Sequence, residues 1–182
     1  MVAITAVLLL ITPLFATAAP TISQNYVERC YNDITNIDNN VRKLTKEVQA
    51  YRGGVLSAAP QILLAGKAIV ATASGGHDSS LLPQTLSLDD LSHLADHVNK
   101  TLAVDNPIAV ETVVAKKNLY FQAGLRGPLY FILKELLKLH LRFSYNVLDR
   151  VPSDAPKDLV RIAMADIDAI TVALQKGVAA FQ

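Results

Sequence analysis

His140 and Ser144 lie one helical turn apart in LKLHLRFSYNVL, each surrounded by apolar neighbours. A serine beside a histidine is the pairing of a nucleophile and its base. Here no strand-turn-helix elbow presents the serine, and no oxyanion donor is evident, so acyl-transfer chemistry is not indicated. Two polar side chains aimed at an apolar interior need partners, because an unpaired buried polar group costs about 1–3 kcal/mol. Either each bonds a neighbouring backbone carbonyl, as Ser144 can within its own helix, or the two line a cavity and hold the polar head of an apolar ligand. His93 and His97 stand at i, i+4 in HLADH, a spacing compatible with metal. Leu94 occupies the place where a zinc protease carries its glutamate, and Asp89, Asp96 and Lys100 share the histidines' face. That pattern predicts a solvated surface, with no metal and no cofactor. Lys116, Lys117, Lys134 and Lys138 are expected to be solubilising charges. Asn99-Lys100-Thr101 is an N-glycosylation sequon, and Cys30, the single cysteine, has no partner for an internal disulfide.

The elements that must position these residues are helices. The 182 residues are 51% apolar and 6% aromatic, and the formal net charge is +1. That suits one domain with an ample core, and the charge balance gives no electrostatic footprint for nucleic acid. The apolar run VLLLITPLFA followed by Ala16-Thr17-Ala18 predicts a secretory leader over residues 1–18, leaving a single domain over 19–182. A run of roughly ten residues is too short to span a bilayer, which needs about twenty, and no later stretch reads as a transmembrane segment.

From Val27 the apolar positions Val27, Cys30, Ile34, Ile37, Val41, Leu44, Val48 and Tyr51 alternate spacings of three and four, and Gly53-Gly54 ends the run. This is a heptad seam on one helix about 40 Å long. A second helix is expected near Ser57, with Pro60 in its first turn, and Ser74 to Pro83 reads as a loop. Ser87-Leu88-Asp89-Asp90 resembles a capping box opening a third helix. Pro107 either kinks that helix or starts another. Two further helices follow, one from Leu129 to about Val151 and one from Asp154-Ala155-Pro156 onward. No segment alternates with period two. The expected fold is all-α, an elongated bundle of five helices, or six if Pro107 divides one, without a sheet.

The inner faces of those helices supply the candidate lining of an apolar cavity. The first helix contributes Ile37, Val41, Leu44 and Val48, and the second contributes Leu63. Leu133, Leu137 and Phe143 come from the helix that carries His140, and Ile167 and Leu174 from the last. The same residues would fit a solidly packed core, and both readings stand at this point.

Asp33-Ile34, Ile37-Asp38, Val41, Leu44, Val48, Tyr51 and Gly53-Gly54 form one group of motifs. Val114-Ala115-Lys116-Lys117, Phe121, Ala123-Gly124-Leu125 and the closing Ala179-Ala180-Phe181 form another. In this order and spacing the sequence resembles the fungal hydrophobic surface-binding protein A family, which includes the cell wall galactomannoproteins. The resemblance implies a non-catalytic helical bundle, secreted or held in the cell wall. Its expected partner is a fatty acid or other hydrophobic small molecule, or alternatively a hydrophobic surface. His140 and Ser144 are not among the motifs that carry the resemblance.

Overall fold

The heptad seam becomes α1 (Ile22–Ala50), 29 residues long. The computed structural model describes the backbone from Ile22 and the side chains from Tyr26 to Gln182, so the expected leader lies outside the described residues. Val27, Cys30, Ile34, Ile37, Val41 and Val48 are all buried along one stripe of α1. Gly53 and Gly54, at φ +107° and +89°, turn the chain after Tyr51, a backbone conformation that side-chain-bearing residues seldom adopt. A short 3₁₀ turn (Leu56–Ala58) leads into α2 (Ala59–Ser80), with Pro60 tolerated in its first turn.

The stretch expected to be a loop is helical, because α2 continues through Gly75 and Gly76 to Ser80. Each glycine weakens a helix interior by about 1 kcal/mol relative to alanine. Tertiary contacts outweigh that cost. A Cβ on Gly75 would lie 2.6 Å from the Phe143 ring, and one on Gly76 would touch Arg142. Asn146 adds hydrogen bonds from its side-chain amide to the Gly76 carbonyl at 2.9 Å and to the Ser79 hydroxyl at 3.0 Å.

Ser87 caps α3 (Leu88–Lys100), its hydroxyl accepting from the Asp90 amide at 3.1 Å. The break that follows falls at Thr101 rather than at Pro107. The Thr101 hydroxyl donates to the His97 carbonyl, and its own carbonyl accepts from the amides of Val104 and Asp105. Pro107 therefore sits in the second turn of α4 (Leu102–Ala115), where it forfeits one backbone bond. A six-residue α5 (Lys117–Gln122) precedes α6 (Arg126–Leu148) and α7 (Lys157–Phe181). Among the described residues there are thus six helices of thirteen residues or more, one short one, and no strand.

Packing follows a closed circuit: α1 lies against α2, α2 against α6, α6 against α7, α7 against α4, and α4 against α1. Helices opposite one another in this ring, such as α1 and α6 or α2 and α4, make little or no direct contact. Five helices in a ring leave axial space that side chains must fill, and here they fill it incompletely. α3 closes one side by packing on α1, α4 and α7.

Buried acids stud the α1 seams. Asp38 is 4% exposed, lies beside the Asp105 carboxyl of α4, and keeps Oδ1 without a partner. Burial first, then the Asp105 carboxyl, pushes Asp38 up to about 6, against the pull of Arg42. Asp33, opposite Asp78 of α2, is likewise raised by burial. Cys30 is wholly buried; desolvation, then Asp33 and Asp78, push its thiol up to about 12, leaving it an unreactive space-filler.

Candidate functional site

Two apolar cavities lie in the bundle, one inside the ring and one between the ring and α3, each with about 80 Å³ of clear space. That is less than the usual range for ligand sites, about 300–1,000 Å³. Much of the space is crevice between side chains, so an occupant must turn some of them aside. The first cavity runs along the ring axis between α1, α2, α4, α6 and α7, with Tyr120 of α5 among its lining. The second lies between α3, α6 and α7. Leu102, His140, Phe143 and Ile170 face both.

Ile37, Val41, Leu44 and Val48 line the first cavity from α1, with Leu133 and Phe143 from α6 and Leu174 from α7. Ile167 and Ser144 line the second. Leu137 is half-buried and packs against the core without lining either cavity. Leu63 does not belong with them, because it is 61% exposed on the outer face of α2. The phase of α2 explains this. The buried positions of α2 and the turn before it, Ala58, Gln61, Ala65, Ala68 and Thr72, repeat at three and four, and Leu63 lies about 140–180° from them at 100° per residue.

Small and polar side chains thus form the α2 wall of the first cavity, and a search for large apolar residues misses them. Gln61 and Tyr120 are both buried there, and the Tyr120 hydroxyl donates to the Gln61 side-chain carbonyl. The alternation of Ala58, Ala65 and Ala68 at three and seven is the signal that would have found this wall.

His140 is half-buried, and its Nε2 lies 3.3 Å from the Ile167 carbonyl and 3.1 Å from the Thr171 hydroxyl. The Thr171 hydroxyl donates to the Ile167 carbonyl at 2.8 Å. With that donor committed, Nε2–H of a neutral imidazole can donate to either oxygen. Burial pushes the imidazole down to about 4, opposed by the Ile167 bond, so the ring is neutral at pH 7. It cannot serve there as a cation for a carboxylate. Ser144 stands half-buried one turn further along.

His93 and His97 stack on the Tyr31 ring at centroid distances of 4.4 and 3.8 Å. His97 Nε2 also hydrogen-bonds the Thr35 hydroxyl at 2.8 Å. These contacts fasten α3 to α1. Among the described residues no group of three or more metal-ligating side chains converges. Asn99 is exposed, and its side-chain amide donates to both oxygens of the buried Asp166 at 2.9 and 3.0 Å. A glycan on that nitrogen would leave it a single N–H, so at most one of the two bonds could persist.

A ring of helices around apolar space defines a helical bundle of the ligand-binding kind. The chain belongs to the hydrophobic surface binding protein A family, whose model matches residues 27–149. It is 26% identical over 149 residues to cell wall mannoprotein 1 of Aspergillus flavus, a match that takes in 82% of this chain. The chain spans about half, 52%, of that relative's length. Among solved structures, ligand binding domain 1 of the Penicillium marneffei MP1 protein, complexed with arachidonic acids, superposes with a TM-score of 0.76 at 26% identity. That similarity covers 86% of this chain and 99% of the domain. AFMP4P in complex with palmitic acid shares the fold, with a TM-score of 0.76 over 86% of this chain and 99% of that one, at 18% identity.

Proposed function

We propose that this chain is a secreted, non-catalytic binding protein that encloses a fatty acid or similar lipid inside its helical ring. The observation that carries the reading is the pair of apolar cavities, one on the ring axis where opposite helices fail to meet and one beneath α3. A related domain of the same fold, 26% identical, is complexed with arachidonic acids. Each buried methylene contributes about 0.8 kcal/mol, so a chain of some fourteen could gain up to about 11 kcal/mol. Association and the displacement of lining side chains offset several of these. Micromolar or tighter binding follows without a charged partner. The cell wall relative supports an extracellular or wall-associated location, and the apolar run ahead of Ala16-Thr17-Ala18 supports residues 1–18 as the leader and residues 19–182 as the mature domain.

Native mass spectrometry of the purified protein, with lipid extraction, tests the reading: a stoichiometric co-purified fatty acid is expected. Delipidated protein that fails to bind a fluorescent fatty acid saturably would refute it. His140 and Ser144 are the candidate head-group contacts, with His140 acting as a neutral hydrogen-bonding group. His140→Leu is expected to weaken binding at least tenfold, about 1.4 kcal/mol, with a smaller loss of stability. Equal affinity would assign His140 to joining α6 and α7.

A second reading, adhesion to apolar surfaces, is favoured by the outer face of α2. Leu56, Leu63 and Val70, spaced by seven, are 86%, 61% and 70% exposed. Exposed apolar patches of this kind mark interaction surfaces. Replacing all three by serine should abolish adsorption to an apolar solid under this reading and leave fatty-acid binding intact under the first.

A further inference from the structure

Four side chains separate the two cavities, and they are not equivalent. His140 is held by the α7 backbone and Thr171, while Leu102 and Ile170 belong to α4 and α7 on one side of the ring. Phe143 reaches from α6 to α2. Its ring is buried, and it presses so closely on Gly75 that a methyl group there would lie 2.6 Å from a ring carbon. The sequence keeps a helix-weakening glycine at this contact, so the aromatic ring has a notch in the α2 backbone. Phe143 is the bulkiest of the four side chains shared by the two cavities, so truncating it opens more space between them than truncating any other.

We infer that Phe143 is the specificity-determining residue for acyl chain length, acting as the partition at which a chain threaded from one cavity must stop. The inference rests on the fatty-acid reading above. Each methylene that passes into apolar space raises affinity about fourfold, and each that cannot pass the ring adds nothing. In the wild type, affinity therefore rises with chain length and then levels off. With the partition truncated, it continues to rise into the second cavity.

The test measures displacement of a fluorescent fatty acid by decanoic, myristic, palmitic and arachidic acids. It compares wild type, Phe143→Ala and the gentler Phe143→Leu as delipidated full-length proteins, with folding checked by circular dichroism. For Phe143→Ala the expected result is a plateau moved to longer acids, with arachidic acid gaining at least tenfold relative to myristic acid. Phe143→Leu moves the plateau the same way by less, and it decides the matter if the alanine variant does not fold. A plateau unmoved in a folded variant overturns the partition while leaving the fatty-acid reading intact. Absence of saturable binding by the wild type removes both.

Discussion

α1 and α2 lie side by side, yet they treat their apolar residues in opposite ways. α1 turns large aliphatic side chains inward and, Asp33 and Asp38 apart, polar ones outward, the usual arrangement for a helix on a core. α2 and the 3₁₀ turn before it bury Ala58, Gln61, Ala65, Ala68 and Thr72 and expose Leu56, Leu63 and Val70. The difference shows how a ring of helices can enclose space: one wall is packed by bulk, and the neighbouring wall is thinned by small residues. A bundle with two walls like α1 would fill its own interior.

The comparison can be broken most forcefully on the α1 side. Ile34, 2% exposed in the core, should lose about 2–5 kcal/mol of stability on replacement by alanine, measured by urea unfolding. A loss below about 1 kcal/mol would mean that α1 is not the packed wall. On the α2 side, Ala68→Leu pushes bulk into the first cavity. It is expected to cost about 1–3 kcal/mol and to weaken fatty-acid binding, which titration with a fluorescent fatty acid would report.

The acidic groups on α1 give a smaller effect with a definite sign. Asp38, raised to about 6, binds more protons in the folded than in the unfolded chain between about pH 4 and 6. Its stabilisation is complete below its ordinary pKa and is lost as pH rises through 6. His140, lowered to about 4, acts oppositely, so its contribution is lost as pH falls from about 6.5 toward 4. In the wild type the two offset each other. Thermal melts at pH 4 and pH 7 should show Asp38→Asn gaining on the wild type toward pH 7, and His140→Leu gaining toward pH 4. Parallel profiles for both variants would contradict these assignments. The smallest effect belongs to the outer face of α2, where Leu63→Ala should change stability by no more than about 0.5 kcal/mol.

The residues that misled a reading of the sequence are on α2 and near it. Gly75-Gly76 look like a loop until Phe143 and Arg142 are placed against them. Leu63 looks like core because it is large and apolar, whereas the burial of its helix is carried by alanines. Pro107 looks like a break, while Thr101 makes one with its side-chain and carbonyl bonds. In each case the deciding partner lies on another helix or in a capping bond, and intrinsic propensity is the weaker influence.

Periodicity determined that this chain is helical and which stripe of α1 is buried, and glycine, proline and capping residues marked several helix ends, because both signals need only local spacing to be read. Tertiary structure decided which face of α2 turns inward, how the cavities are divided, and that His140 is neutral and bonded to α7. Those outcomes depend on distances between helices, which are set by how side chains from separate parts of the chain share one interior.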